Sequence, residues 1–150
     1  TQGVSSAASD VYKRQATSLA TGRVAFTIAG DGDFLMTGQE LATAAQHGGK
    51  SIVVLLNNGM FGTIRMHQER EYPERTSGTA LRNPDFCGLA RAYGYAAERV
   101  TETAQFEAAL LRALAADTGT LIEIPLDPEV ITTRGTLSSI RRAAQQQARG

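Results

Sequence analysis

From residue 23 to residue 126 the chain alternates short β-rich runs with longer stretches of helical period, and no other feature constrains its fold as much. Arg23–Ala29 (RVAFTIA), Ser51–Leu56 (SIVVLL), Tyr95–Val100 and Thr120–Leu126 (TLIEIPL) read as strands. Near-continuous apolar runs such as the first two predict buried strands. Between them, Thr37 and Glu40 fit a capping box opening a helix through Leu41, Ala44, Ala45 and His47, which Gly48 and Gly49 stop. Phe61–Glu69 is a short amphipathic stretch ahead of a polar loop from Arg70 to Arg82. Asn83 and Pro84 supply an N-cap and a first-turn proline for a helix through Tyr93, ended by Gly94. Thr103–Asp117 carries Phe106, Leu110, Leu111 and Leu114 at helical spacing, and Leu137–Ala148 forms a last helix with Arg141, Arg142 and Arg149 on its polar side. Strands alternating with helices predict βαβ units, hence an α/β fold: a doubly wound parallel sheet with helices on both faces.

Composition narrows the function classes. At 150 residues, 42% hydrophobic and 20% charged, the chain suits one globular domain. Fifteen basic residues balance fifteen acidic ones, so charge gives no case for nucleic acid or an anionic membrane as partner. No apolar run approaches the ~20 residues of a spanning helix. One cysteine, Cys87, rules out an internal disulfide and a multi-cysteine metal site. With no secretory leader to read, a cytoplasmic location is expected. Residues 1–15 look unlike the rest: SSAASDVYKRQ resembles translated sequencing-adapter read-through, and the segment is set aside as a non-native or disordered leader. The expected division is then leader 1–15, a ligand-binding domain over 16–135, and a C-terminal helix or tail over 136–150.

In parallel sheets ligands bind in the crevice outside the carboxyl ends of the strands. Two such ends carry conspicuous polar residues: Gly30-Asp31-Gly32-Asp33 after the first strand and Asn57-Asn58-Gly59 after the second. Glycines allow a sharp turn and close approach of an anion to backbone N–H groups. An Asp carboxylate, Asn amide oxygens and a loop carbonyl form a set for Mg²⁺ or Ca²⁺, not for zinc. Magnesium takes few protein carboxylates and fills its shell with water and phosphate oxygens, so the set suits a metal clamping a diphosphate.

GDG at 30–32 followed by NN at 57–58, in the string GDGDFLMTGQELATAAQHGGKSIVVLLNNGMFGTIRMHQE, resembles the thiamine diphosphate motif. The stretch from residue 16 to 140 looks like the C-terminal cofactor-binding domain of the acetolactate synthase-like branch of that superfamily. The resemblance implies that Asp31, the Asn58 side chain and the Met60 carbonyl ligate Mg²⁺. It implies that Gly30, Gly32 and Asp33 approach the diphosphate, and that Phe34, Met36, Asn58, Met60, Phe61 and Gly62 lie along the cofactor. Asn57 would shape the turn. The activating glutamate is expected in a domain outside these residues, so no catalytic side chain is assigned here. The chain would then be the diphosphate and magnesium half of a site acting on a 2-oxo acid, in a homodimer or homotetramer, and inactive alone. The alternatives are a non-catalytic thiamine diphosphate-binding module and an unrelated dinucleotide- or flavin-binding α/β domain. Against the dinucleotide reading, Leu35 occupies the third glycine position of that fingerprint.

Other polar residues carry plainer readings. Glu40 belongs to the capping box, Cys87 is a small buried residue, and His47 sits at a helix end. His67, in IRMHQER, is a candidate substrate contact that the resemblance places near the site mouth. Arg65 and Arg70 are candidates for an acidic substrate or phosphate, with solvation as the ordinary alternative. Arg141 and Arg142 read as a polar helix face or a subunit contact.

Overall fold

The computed structural model of the protein describes residues 10–147, with side chains from residue 16 onward. In chain order the elements are α1 (Asp10–Thr21), β1 (Ala25–Gly30), α2 (Asp31–Thr37), α3 (Glu40–Gln46), β2 (Ser51–Asn57), α4 (Gly62–Glu71), α5 (Phe86–Ala92), β3 (Ala96–Arg99), α6 (Thr103–Ala115), β4 (Thr120–Pro125), β5 (Val130–Thr132), β6 (Gly135–Thr136) and α7 (Leu137–Gln147). They fall into two compact units, one holding the chain up to Asn57 together with Asn83–Pro125, the other Asn58–Arg82 and the chain from Leu126 on.

The first unit is a four-stranded sheet in the order β1-β2-β4-β3, every neighbouring pair parallel. Side chains alternate across a pleat, so the register sorts residues onto two faces. One face brings Ala29, Val53, Leu55 and Leu121 against Phe34, Leu41, Ala44, Phe86, Ala90 and Tyr95. Phe34 and Phe86 meet edge-to-face with centroids 5.6 Å apart, and the buried Tyr95 hydroxyl bonds Ser51 at 2.8 Å. On the other face Ile52 and Ile122 pack with Val100 and with Ala109 and Ala113 of α6. The parallel α/β sheet expected from the alternation is therefore present.

Several local expectations need correction. β1 is not buried on both faces: Phe26 is 38% and Ile28 61% exposed, while Ala25, Thr27 and Ala29 are buried. The cause is coverage, because α6 packs over β4, two strands away from β1. The capping box at Thr37 does not form. Helix α2 runs through Thr37, and Gln39 precedes α3 in an αR conformation without a side-chain cap bond. Asn83 does not cap α5 either; Asp85 does, accepting from the Gly88 N–H at 3.1 Å. Gly48 and Gly94, with φ of +70° and +85°, do end their helices in the left-handed region. Of the leader, residues 1–9 lie outside the described residues. Residues 10–15 lie in α1, which begins at Asp10, and DVYKRQ contains neither Gly nor Pro to break a helix.

The second unit contains α4, the β5–β6 hairpin and α7, which packs along α4. The hairpin leaves no mark in the sequence pattern, because strands of three and two residues are too short to show a period.

Candidate functional site

β1 ends at Gly30 and passes directly into α2, so Asp31 is the first helical residue rather than the tip of a loop. Gly30 is extended (φ −73°, ψ 160°), a conformation open to any residue. A Cβ there would lie 3.2 Å from the Asp33 carboxylate, the end of a partly exposed side chain that has only to shift by a few tenths of an ångström. Asp31 is 2% exposed. Its Oδ1 accepts from the Gly32 N–H at 3.0 Å, and its Oδ2 accepts from the Asn83 amide at 2.6 Å.

That amide is shared. The same Asn83 nitrogen donates to Asn57 Oδ1 at 2.8 Å, and Asn57 Nδ2 donates to Glu123 Oε1 at 2.8 Å. Glu123 Oε2 accepts from Arg99 Nε at 3.0 Å and faces the Cys87 thiol at 3.6 Å. The strand register explains the geometry. Glu123 is paired with Leu55, two residues before Asn57 on the same face, and Arg99 is paired with Glu123. A polar strap therefore crosses the sheet near its carboxyl edge, from Arg99 on β3 through Glu123, Asn57 and Asn83 to Asp31 after β1. Sequence reasoning gives Asn83 only a capping role and passes over Glu123. The available signal for Glu123 is a charged residue inside the apolar run TLIEIPL.

The segment after β2 is ordered by its own bonds. Asn58 Oδ1 accepts from the Met60 N–H at 3.2 Å, as in an Asx-turn, with Gly59 at φ +70°. The Leu81 N–H donates to the Gly59 carbonyl at 2.8 Å, and the Phe61 N–H to the Thr79 carbonyl at 2.9 Å. At Gly62 a Cβ would stand 2.5 Å from Ile131 Cδ1 and 2.9 Å from Asn58 Nδ2, the ends of two side chains that would have to shift to admit it. Met60, Phe61 and Gly62 are each partly exposed.

Two expectations for the site change. Phe34 is fully buried in the core against Phe86, so its ring does not line a cofactor; only its neighbours Leu35 and Met36, 43% and 53% exposed, face outward. Arg141 is not a solvated helix residue. It donates to both oxygens of the buried Glu69, at 2.8 and 2.6 Å, and Arg65 adds a bond to Glu69 at 3.1 Å. The arginines, together with the Glu74 N–H, outweigh burial and hold the Glu69 carboxyl at about 2, well below its ordinary 4.5. Arg65 is thereby engaged, whereas Arg70 lines a cleft of about 460 Å³ with Met66, Arg134 and Ile140. His47 and His67 are exposed. Cys87 is buried as expected. Burial, and then the adjacent Glu123 carboxylate, pushes its thiol up to about 11, which unsuits it as a nucleophile.

The Asp31 carboxylate at the end of β1 is a hard oxygen donor already oriented by Asn83, which fits a magnesium ion. The family described as thiamine pyrophosphate enzyme, C-terminal TPP binding domain, matches residues 4–124. The chain belongs to that family. This thiamine pyrophosphate-binding domain is 40% identical over 101 residues to the acetolactate synthase isozyme 2 large subunit of Escherichia coli, covering 67% of the chain and 18% of the relative. It is 36% identical over 116 residues to the 3D-(3,5/4)-trihydroxycyclohexane-1,2-dione hydrolase of Bacillus subtilis, covering 73% and 18%. Among solved structures, the thiamine diphosphate-dependent 4-hydroxybenzoylformate decarboxylase of Rhodococcus jostii superposes with a TM-score of 0.71 at 31% identity, over 76% of this chain and 22% of that one. The domain thus spans under a fifth of the length of these curated relatives. No described helix is long and apolar enough to cross a membrane.

Proposed function

We propose that this domain supplies the diphosphate- and magnesium-binding half of an enzyme site that decarboxylates or carboligates 2-oxo acids, in the manner of acetolactate synthase. The observation that carries the reading is Asp31, a carboxylate 2% exposed at the carboxyl end of β1 and oriented by Asn83, within a thiamine pyrophosphate-binding domain. Names of relatives support the reaction class, since acetolactate synthases and a 4-hydroxybenzoylformate decarboxylase are among them.

In this reading Asp31, the Asn58 side chain and the Met60 carbonyl ligate Mg²⁺. The backbone at Gly30, Gly32 and Asp33 approaches the diphosphate, and Met36, Phe61 and Gly62 flank the cofactor. Thiamine diphosphate, when bound, supplies a carbanion at its thiazolium ring and an electron sink for decarboxylation. The residues of this domain bind and orient; the group that activates the cofactor comes from another domain. The enzyme is a cytoplasmic homodimer or homotetramer, and this chain alone does not turn over substrate.

The test measures thiamine diphosphate binding with and without Mg²⁺, and pyruvate consumption by the chain alone and with the remaining domains restored. Expected are Mg²⁺-dependent binding, loss of at least ~10-fold in affinity for Asp31→Ala, and turnover only in the restored enzyme. Unchanged affinity in Asp31→Ala removes the ligand assignment, and substantial turnover by the chain alone contradicts the half-site.

A further inference from the structure

We propose that Asn83 is the positioning residue of the metal site: it fixes the Asp31 carboxylate for the cation and is itself held by the Glu123 to Asn57 relay. The proposal rests on the reading of Asp31 as a metal ligand, and adds a residue that the motif does not contain.

The geometry leaves Asn83 one orientation. Its nitrogen lies 2.6 Å from Asp31 Oδ2 and 2.8 Å from Asn57 Oδ1. A flipped amide would put a carbonyl oxygen against a carboxylate oxygen at the shorter of those distances, so the NH₂ group must face both acceptors. Asn57 is fixed in the same way, because its own nitrogen faces Glu123 Oε1 at 2.8 Å. Glu123, 1% exposed, is in turn anchored by Arg99 on the edge strand. The two amides of the strap are thereby each held in one orientation.

Asn83 bears a cost for this arrangement. Its Oδ1 is buried without a hydrogen-bond partner among the described residues. A buried amide oxygen left unpaired calls for an explanation, and holding a neighbouring group in a defined geometry is one. A helix cap would be satisfied by the helix backbone; Asn83 instead gives its amide to Asp31 and Asn57, and the cap of α5 is Asp85. Carboxylate ligands of metals are characteristically held by such outer hydrogen bonds, and losing one costs about 10- to 100-fold in metal affinity.

The experiment titrates Mn²⁺, read by its EPR signal, into this chain in the presence of thiamine diphosphate, for wild type, Asp31→Ala and Asn83→Leu. Asn83→Leu keeps the side-chain volume and removes the donor. Expected is Mn²⁺ binding at least ~10-fold weaker than wild type, with a larger loss in Asp31→Ala. A purely structural role would lower the melting temperature of the metal-free protein and leave the Mn²⁺ affinity of the folded fraction unchanged. If Asn83→Leu does not fold, as judged by circular dichroism, Asn83→Ala takes its place. Wild-type affinity in either folded variant, beside a loss in Asp31→Ala, overturns the positioning role and leaves the metal site standing. Wild-type affinity in Asp31→Ala, or no Mn²⁺ uptake by the wild type, overturns the ligand assignment and this proposal with it.

Discussion

Each of the two units buries a glutamate, and the two are used differently. Glu69, fully buried, has both oxygens on arginines: Arg141 takes both, Arg65 shares one, and the Glu74 N–H takes the other at 3.2 Å. Among the described residues no side-chain bond leads onward from it to a strand end. Glu123 is as deeply buried, but Arg99 occupies one oxygen and the Asn57 amide the other, and Asn57 hands the orientation to Asn83 and Asp31. One carboxylate is the end of a network and ties α4 to α7. The other is a link within one, and sets the direction of a side chain beyond the ion pair. Burial of a charge is common to both, so burial alone does not mark function; what distinguishes them is whether the last acceptor is satisfied inside the fold or presented at a strand end.

The sharpest way to break the comparison is to remove the closed knot. Glu69→Ala leaves two arginines facing a cavity, and breaking a buried pair from one side costs about 3–5 kcal/mol. We expect chemical denaturation to show that loss and hydrogen exchange to show α7 opening first, with Mn²⁺ affinity of the remaining folded protein unchanged. If metal affinity falls in step with stability, the two networks are not separate in function.

Acid tests the same knot without mutation. The folded Glu69 carboxyl sits at about 2 against an ordinary 4.5, so it stabilises the folded state when ionised. That contribution, on the order of 3 kcal/mol, is fully present above about pH 4.5 and is lost as pH falls toward 2. Amide protection in α7 should therefore decline across that window ahead of protection in β2. A flat profile for α7 between about pH 5 and pH 2.5 would show that Arg141 is not what holds the helix.

How much of the molecule is legible in its sequence depends on the kind of signal each part leaves. Apolar runs and helical spacing expose the four strands of the sheet and most of the helices, and flanking residues such as Pro84 and Gly94 mark α5, because buried faces and chain breaks both leave local patterns. Caps and edges escape it, since they depend on where a side chain finds a partner. Thr37 has the spacing to Glu40 that a cap requires, yet α2 continues through it. Asn83 is the right residue type before a proline, but Asp31 and Asn57 compete for its amide and win. Phe34 sits inside the motif and still turns into the core against Phe86, a contact distant in the chain that no local pattern encodes. The motif itself is legible because GDG and NN are local; the strap supporting it is not, because its members come from separate stretches of chain.

Opening the relay should cost less stability than opening the knot. Glu123→Gln preserves shape and leaves an oxygen for the Asn57 amide, while the released Arg99, already 51% exposed, returns to water. We expect a stability loss of ~1 kcal/mol and a measurable weakening of Mn²⁺ binding, smaller than that of Asn83→Leu. An effect on stability alone would reduce Glu123 to the same status as Glu69.

A third glutamate gives the comparison its floor. Glu98 accepts from Arg112 at 3.2 and 2.6 Å, a two-pronged pairing much like that of Glu69 with Arg141. Here, however, the side chains are 32% and 61% exposed. Water and salt screen the attraction, and two long side chains lose freedom to hold one geometry. Arg112→Ala should leave the denaturation midpoint within experimental error at physiological salt, and Mn²⁺ affinity untouched. A shift approaching that of Glu69→Ala would mean that pairing geometry, rather than desolvation, governs the strength of these ion pairs, and the contrast between the two buried glutamates would then have to be rebuilt on geometry alone.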